Sequence, residues 1–306
     1  MIPFIKEFWS LLKATSIAWW NKDPFRQSAI IAYYAIFSIP GLLVLITAVA
    51  GYFWEPETIT TNIRNEIAAT IGWDTAQQIE GILNKSRESK STMFGTIVGI
   101  SILLIGATGV FVELQKTLNE IWRVETSTKK SGILAVVRTR LFSFGLIMAI
   151  AFSLLISLVI STVLTALSTW MRVDASPFMI QVFNVIDTIL SVGVISLLFA
   201  LMFKVLPDAQ IKWRHVWWGA LLTGVLFSAG KAAMSYYFGT SEPTSATVYG
   251  AAGSVILILL WVSYSSLILF FGAEFTAAYT ARQHERVAPS DIAKKVPAQD
   301  TVAPTH

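Results

Sequence analysis

Long apolar runs alternate with short polar stretches along this chain, and the runs are the length of membrane spans. A helix needs about 20 apolar residues to cross the hydrocarbon core of a bilayer. Six segments meet or approach that length: Ser28–Phe53, Met93–Val112, Leu141–Leu167, Phe178–Val205, Val216–Phe238 and Val248–Tyr279. The last is long for one span, so its ends emerge from the bilayer or the helix tilts. The pattern predicts an all-α polytopic membrane protein of about six transmembrane helices, occupying residues 28–279.

Three stretches depart from this pattern. Residues 1–27 predict an interfacial amphipathic helix: Ile5, Trp9 and Leu12 share one face, Lys6 and Lys13 lie off it, and Trp19 and Trp20 suit the headgroup level. Residues 55–91 are the largest polar insertion. Ile59, Ile63 and Ile67 recur every four residues, Ile79, Ile82 and Leu83 form a second apolar group, and Gly72 lies between. Two short amphipathic helices forming an external cap are expected there. Residues 280–306 are polar, with Pro289, Pro297 and Pro304, and are expected to be a disordered tail.

Composition strengthens the membrane assignment. Of 306 residues, 54% are hydrophobic and 14% charged, against about 25% charged in soluble domains. Mean hydropathy is +0.62. The formal charge of +4 does not mark a nucleic-acid surface, because the basic residues sit between the apolar runs. Of the 23 Lys and Arg residues, Arg64, Lys85, Arg87, Lys90 and Arg172 fall on one side of a six-span topology and Lys231 falls within a span. All the others fall on the opposite side. The positive-inside rule then places both termini in the cytoplasm. Lys6, Glu7 and Lys13 interrupt the start of the chain, so no cleavable signal peptide is expected.

Charges inside a bilayer are costly and face a partner or water. Asp187 in the fourth span and Lys231 in the fifth lie roughly 13 Å and 10 Å from the outer ends of their helices at 1.5 Å per residue. An ion pair between them is geometrically reasonable, and Asn184 shares the face of Asp187. The pair either lines a substrate path or fixes helix register. Glu113 and Glu274 lie near cytoplasmic ends, where Lys116 or Lys204 could neutralise them and interfacial exposure is the simpler reading. Pro40 in the first span should kink or break its helix, with Tyr33 and Tyr34 one to two turns before it. Small residues predict close helix contacts: Gly95 and Gly99 in the second span, and Gly145, Ala149, Ser153, Ser157 and Ser161 in the third.

Several chemistries are excluded. There is no cysteine and there are three histidines, so cysteine or histidine-rich metal sites cannot form. No phosphate loop, nucleophile elbow or zinc-protease motif occurs, and Gly106-Ala107-Thr108-Gly109 is too short and too deep in a span to hold phosphate. No cofactor, no bound metal and no enzymatic activity are expected.

Several ordered segments resemble the YihY/virulence factor BrkB family of bacterial inner-membrane proteins. They are Ala32-Tyr33-Tyr34-Ala35-Ile36-Phe37-Ser38-Ile39-Pro40, Gly106-Ala107-Thr108-Gly109, Leu114-Gln115 with Leu118-Asn119-Glu120-Ile121-Trp122, Leu206-Pro207-Asp208 with Trp213 and Gly219-Ala220, Tyr249-Gly250-Ala251 with Gly253-Ser254, and Leu260-Trp261 leading to Gly272-Ala273-Glu274. The resemblance covers roughly residues 5–285 and implies a six-helix fold in the bacterial inner (plasma) membrane. The family has carried a ribonuclease label. This sequence argues against it, because metal-dependent RNA hydrolysis needs clustered histidine and carboxylate ligands.

The function expected is that of a transporter or permease-like protein for a small solute, ion or lipid, its polar site between the fourth and fifth spans. The alternative is an envelope structural or assembly factor acting through the external cap. The lipid bilayer is the expected partner, nucleic acid is not, and a homo-oligomer is compatible with the apolar faces.

Overall fold

The computed structural model describes residues 2–50, 55–88, 93–126, 177–240, 251–283, 288–289 and 293–295. Helices dominate: α1 (Ile2–Trp20), α2 (Pro24–Ala50), α3 (Pro56–Ile71), α4 (Trp73–Glu88), α5 (Met93–Trp122), α6 (Pro177–Val205), α7 (Trp213–Thr240) and α8 (Ala251–Arg282). Four short strands complete the described elements: β1 (Val124–Thr126), β2 (Ala209–Gln210), β3 (Ala288–Pro289) and β4 (Ala293–Lys295). The fold is all-α, as the hydrophobic pattern predicts.

Five of the six expected segments coincide with α2, α5, α6, α7 and α8. The third, Leu141–Leu167, lies outside the described residues, as do Gly145, Ala149, Ser153, Ser157 and Ser161. Among the described residues, two stretches are long and apolar enough to cross a membrane: Thr188–Val205 and Val255–Arg282. Helix α5 continues to Trp122, well past the expected end at Val112, so its last turns carry polar residues.

Local chemistry sets the boundaries. Pro24 opens α2 and Pro56 opens α3, where a missing backbone N–H costs nothing. Gly72 separates α3 from α4 with φ 102°, a conformation that L side chains rarely adopt. At the end of α6, Pro207 disfavours helical geometry at Leu206, and the helix stops at Val205. Lys204 in its last turn complements the carbonyl end of the helix dipole.

Two expectations need correction. Helix α2 is not broken at Pro40; it runs unbroken from Pro24 to Ala50. The carbonyl that Pro40 leaves without its donor is that of Ile36, four residues back, and proline is tolerated in apolar helices where neighbours and small local adjustments re-satisfy such a group. Nor is all of 280–306 a disordered tail. Helix α8 extends to Arg282, β3 pairs with β2, and β4 pairs with β1, both antiparallel. Composition misses this because backbone pairing needs no apolar signature, and the partner strands lie far away in sequence.

The chain folds as two compact units. One comprises Met1–Thr15, Gln115–Gly224 and Gly272–His306; the other comprises Ser16–Leu114 and Val225–Phe271. In the second unit, α3 and α4 pack on each other and on α2. Ala76 and Ile79 are buried on α4, and Arg64 bonds Glu80 at 3.3 Å while its guanidinium lies 5.5 Å from the Trp73 ring centre. This agrees with the helical hairpin expected over 55–91. Also within this unit, α2 meets α5 through Tyr34 and Ser38, which lie against Gly109 and Gly106. The Gly106-Ala107-Thr108-Gly109 segment is therefore a helix-packing surface.

Candidate functional site

In the first unit, α7 sorts its residues in the reverse of the order water imposes. Trp217, Trp218 and Leu221 are exposed, whereas His215, Gly219, Ala220, Thr223 and Gly224 are buried. Val216 is buried with them; exposed large apolar groups beside a buried strip of small residues fit a lipid solvent. The buried face meets α8 through a reciprocal notch. A Cβ on Gly219 would overlap Thr276 Oγ1 and come within 2.8 Å of the Gly272 carbonyl oxygen; a Cβ on Gly272 would overlap Thr223 Oγ1. Both threonine hydroxyls are satisfied within their own helices, Thr223 by the Gly219 carbonyl at 2.7 Å and Thr276 by the Gly272 carbonyl at 2.8 Å. They bring polarity into the contact without an unmet hydrogen bond.

Glu274 sits in this packed stretch of α8 and is 4% exposed. That corrects the expectation of an interfacial carboxylate: the small residues around it let helices close over the side chain. It lies eight residues before Arg282, roughly 12 Å from the helix end. Lys204, one of its expected neutralisers, donates its Nζ to the Ile211 carbonyl. At the end of the notch His215 is buried, with Nε2 3.1 Å from Gln283 Oε1 and 3.5 Å from an Arg214 guanidinium nitrogen. Arg214 donates to the same oxygen at 3.2 Å, and the His215 and Tyr279 rings meet edge to face.

A second polar cluster joins the end of α5 to the turn after α6. Asn119 Nδ2 donates to Asp208 Oδ2 at 2.9 Å, and Asn119 Oδ1 accepts from the Asp208 backbone N–H at 2.7 Å. Gln115 Nε2 donates to Asp208 Oδ1 at 3.3 Å. Asn119 and Asp208 are 7% and 8% exposed. The amide thus grips both the side chain and the backbone of Asp208, and each charge-assisted bond contributes on the order of 1.5–3 kcal/mol. Sequence reasoning assigned this cluster no role. Its signal was Gln115 and Asn119 four residues apart at the polar end of a span, together with an aspartate after Leu206-Pro207.

Tyr33 is 59% exposed while Tyr34 is half-buried and packs on Gly109, and the two rings meet edge to face with centroids 5.7 Å apart. Glu113 on α5 and Lys231 on α7 are half-buried, and both are engaged by neighbours. Asn184 and Asp187 lie on α6, and Pro40, Gly95 and Gly99 lie on α2 and α5, but the side chains of these positions are outside the described residues. Among the described residues, no group of three His, Asp or Glu side chains is placed to hold a metal.

An all-α chain with long apolar helices and many exposed tryptophan, isoleucine and valine side chains has the build of a membrane protein. Comparison with known proteins makes this specific: a model of the Virulence factor BrkB family matches residues 16–296, and the chain belongs to that family. It is similar to a UPF0761 membrane protein of Vibrio vulnificus, 26% identical over 286 residues that cover 93% of this chain and 87% of the relative. A UPF0761 membrane protein of Idiomarina loihiensis is 25% identical, over 76% of this chain and 78% of its own length. One from Pseudomonas paraeruginosa is also 25% identical, over 83% of this chain but 58% of its longer sequence. No solved structure matches. The protein is therefore a membrane protein of the BrkB family, as its ordered motifs suggested.

Proposed function

We propose that this protein is a transporter of the bacterial inner membrane that moves a small solute, an ion or a lipid, with six spans and both termini in the cytoplasm. The observation that carries the proposal is Glu274, a carboxyl 4% exposed within an apolar helix. A buried ionisable group in a span is expensive to keep, and substrate or ion passage is the commonest reason for keeping it. The reciprocal Gly/Thr notch beside it brings α7 close to α8 through small residues, as helices that border such a path require. Asp187, Asn184 and Lys231 would extend the polar path through the fourth and fifth spans. The reading requires no enzymatic chemistry and no cofactor.

The test is flux in proteoliposomes under imposed Na⁺, K⁺ and pH gradients, comparing wild type with Glu274→Gln and Asp187→Asn. Cation flux in wild type that is lost in Glu274→Gln supports a carboxyl-dependent path. Unchanged flux in Glu274→Gln removes that carboxyl from the path. Absence of flux in wild type under all three gradients rules out cation-coupled exchange.

A further inference from the structure

The start of α1 is fastened to the end of an apolar helix. Arg282 donates to the Glu7 carbonyl at 3.0 Å, and the Phe8 and Phe275 rings meet edge to face with centroids 6.3 Å apart. Arg282 closes the 28-residue stretch of α8 that is long and apolar enough to cross a membrane. The first turns of α1 therefore lie where that stretch leaves the hydrocarbon. Burial then divides the sides of α1. Leu11 is 5% exposed and Thr15 is 0%, so their side is turned inward. Lys6, Trp9 and Lys13 are exposed, Trp9 by 71%. With 3.6 residues per turn, these three fall within an arc of about 60°, while Glu7, the acidic residue of α1, projects about 160° from Trp9. The two lysines thus share the outward side with Trp9, rather than lying off its face as the apolar spacing suggests. The same composition continues at the start of α7, where Trp213 and Arg214 are exposed and Arg214 bonds Gln283, the residue after Arg282.

We infer that the outward side of α1 docks anionic phospholipid headgroups. The ammonium groups of Lys6 and Lys13 receive the headgroup phosphates, and the Trp9 indole sits among them at the membrane–water boundary. Charge complementarity selects this occupant: a zwitterionic headgroup brings the lysines no net charge, whereas each lysine near an anionic surface contributes roughly a fivefold preference. The exposed ring selects a lipid over a soluble anion, because an indole offers an apolar body to the acyl boundary and an N–H to a phosphate oxygen. The inference rests on α8 as a span and not on the transport reading.

The test uses the full chain, whose lack of cysteine allows a single fluorophore on Ser10→Cys, an exposed position of α1. The protein is reconstituted in phosphatidylcholine vesicles that carry a small fraction of lipid with a nitroxide near the headgroup, either phosphatidylglycerol or phosphatidylcholine. Spin-labelled phosphatidylglycerol should quench several-fold more strongly at equal fraction. Lys6→Gln/Lys13→Gln should bring the two lipids level, with quenching by phosphatidylcholine unchanged, and Lys6→Arg/Lys13→Arg should restore the preference. Rising salt should weaken it, because exposed charges are screened within about 10 Å at 0.1 M. Equal quenching by the two lipids before the lysines are changed, a preference that survives the glutamine pair, or one that the arginine pair fails to restore overturns the inference. Loss of the preference to glycerol phosphate at constant ionic strength would mark a site for a soluble anion and overturn the lipid assignment. The readout contains no flux, so failure of the transport reading leaves it intact.

Discussion

Helix α7 and the α3–α4 hairpin bury their residues in opposite ways. On α4, Thr75, Ala76 and Ile79 are buried while Gln77 and Asn84 are exposed; on α3, Thr61, Asn62 and Asn65 are exposed. Apart from Thr75, that is the order water imposes, apolar groups inward and polar groups outward. On α7 the tryptophans, Leu221 and Val225 face out, while His215, Thr223 and two glycines are inside. The hairpin is held by an ordinary apolar contact and a half-exposed ion pair, with the Trp73 ring outside under Arg64. The α7 contact is held by fit: glycines that admit a neighbouring threonine, and hydroxyls that bond back to their own helix.

The contrast orders the expected effects of substitution. Gly272→Val should be the most damaging, because added carbons meet Thr223 with no room to yield; overpacking of about 3 kcal/mol or more should abolish the monodisperse peak in gel filtration. Gly81 on α4 has open space at its Cβ position, so Gly81→Ala should leave that peak unchanged. Leu221→Lys should cost about 2 kcal/mol of insertion free energy, read as lower membrane yield. Gln77→Lys should stay within about 0.5 kcal/mol of wild type, as for an exposed position in water. Equal penalties at the two sites would erase the distinction between the regions.

Smaller effects sharpen it. Asn119→Ala should destabilise by about 2 kcal/mol, because it leaves a buried aspartate oxygen and a backbone N–H without their amide partner. A thermal melt in detergent checks this, and restoration by Asn119→Gln would argue that the exact reach of the amide is unimportant. Arg64→Ala should cost about 0.5 kcal/mol, the usual worth of an exposed pair. A loss several times larger would mean the hairpin depends on its charges as α7 depends on its glycines.

The sequence made the helices legible because span-length apolar runs are a local signal, and α2, α5, α6, α7 and α8 fall where that signal placed them. The hairpin was legible from the four-residue recurrence of Ile59, Ile63 and Ile67 around Gly72. The sites were far less so. Asn119 and Asp208 are 89 residues apart, and nothing local to either reveals the other. Glu274 looked interfacial because its distance from the helix end can be counted, whereas its enclosure by packing cannot. Pro40 looked like a kink or break because proline removes one helix hydrogen bond, yet a single lost bond does not end a helix, and α2 continues through it. The tail ladders were invisible because their strands are two or three residues long, too short to show an alternating pattern.

The central claim is that the α7 face faces lipid while the α3–α4 face is in water. Its most direct test uses spin labels on single cysteines at Leu221 and Gln77 in the reconstituted protein, with collision rates measured against oxygen and against a water-soluble nickel chelate. The account predicts that the label at 221 meets oxygen and is shielded from nickel, and that the label at 77 meets nickel readily. Nickel access at 221 equal to that at 77 would contradict it.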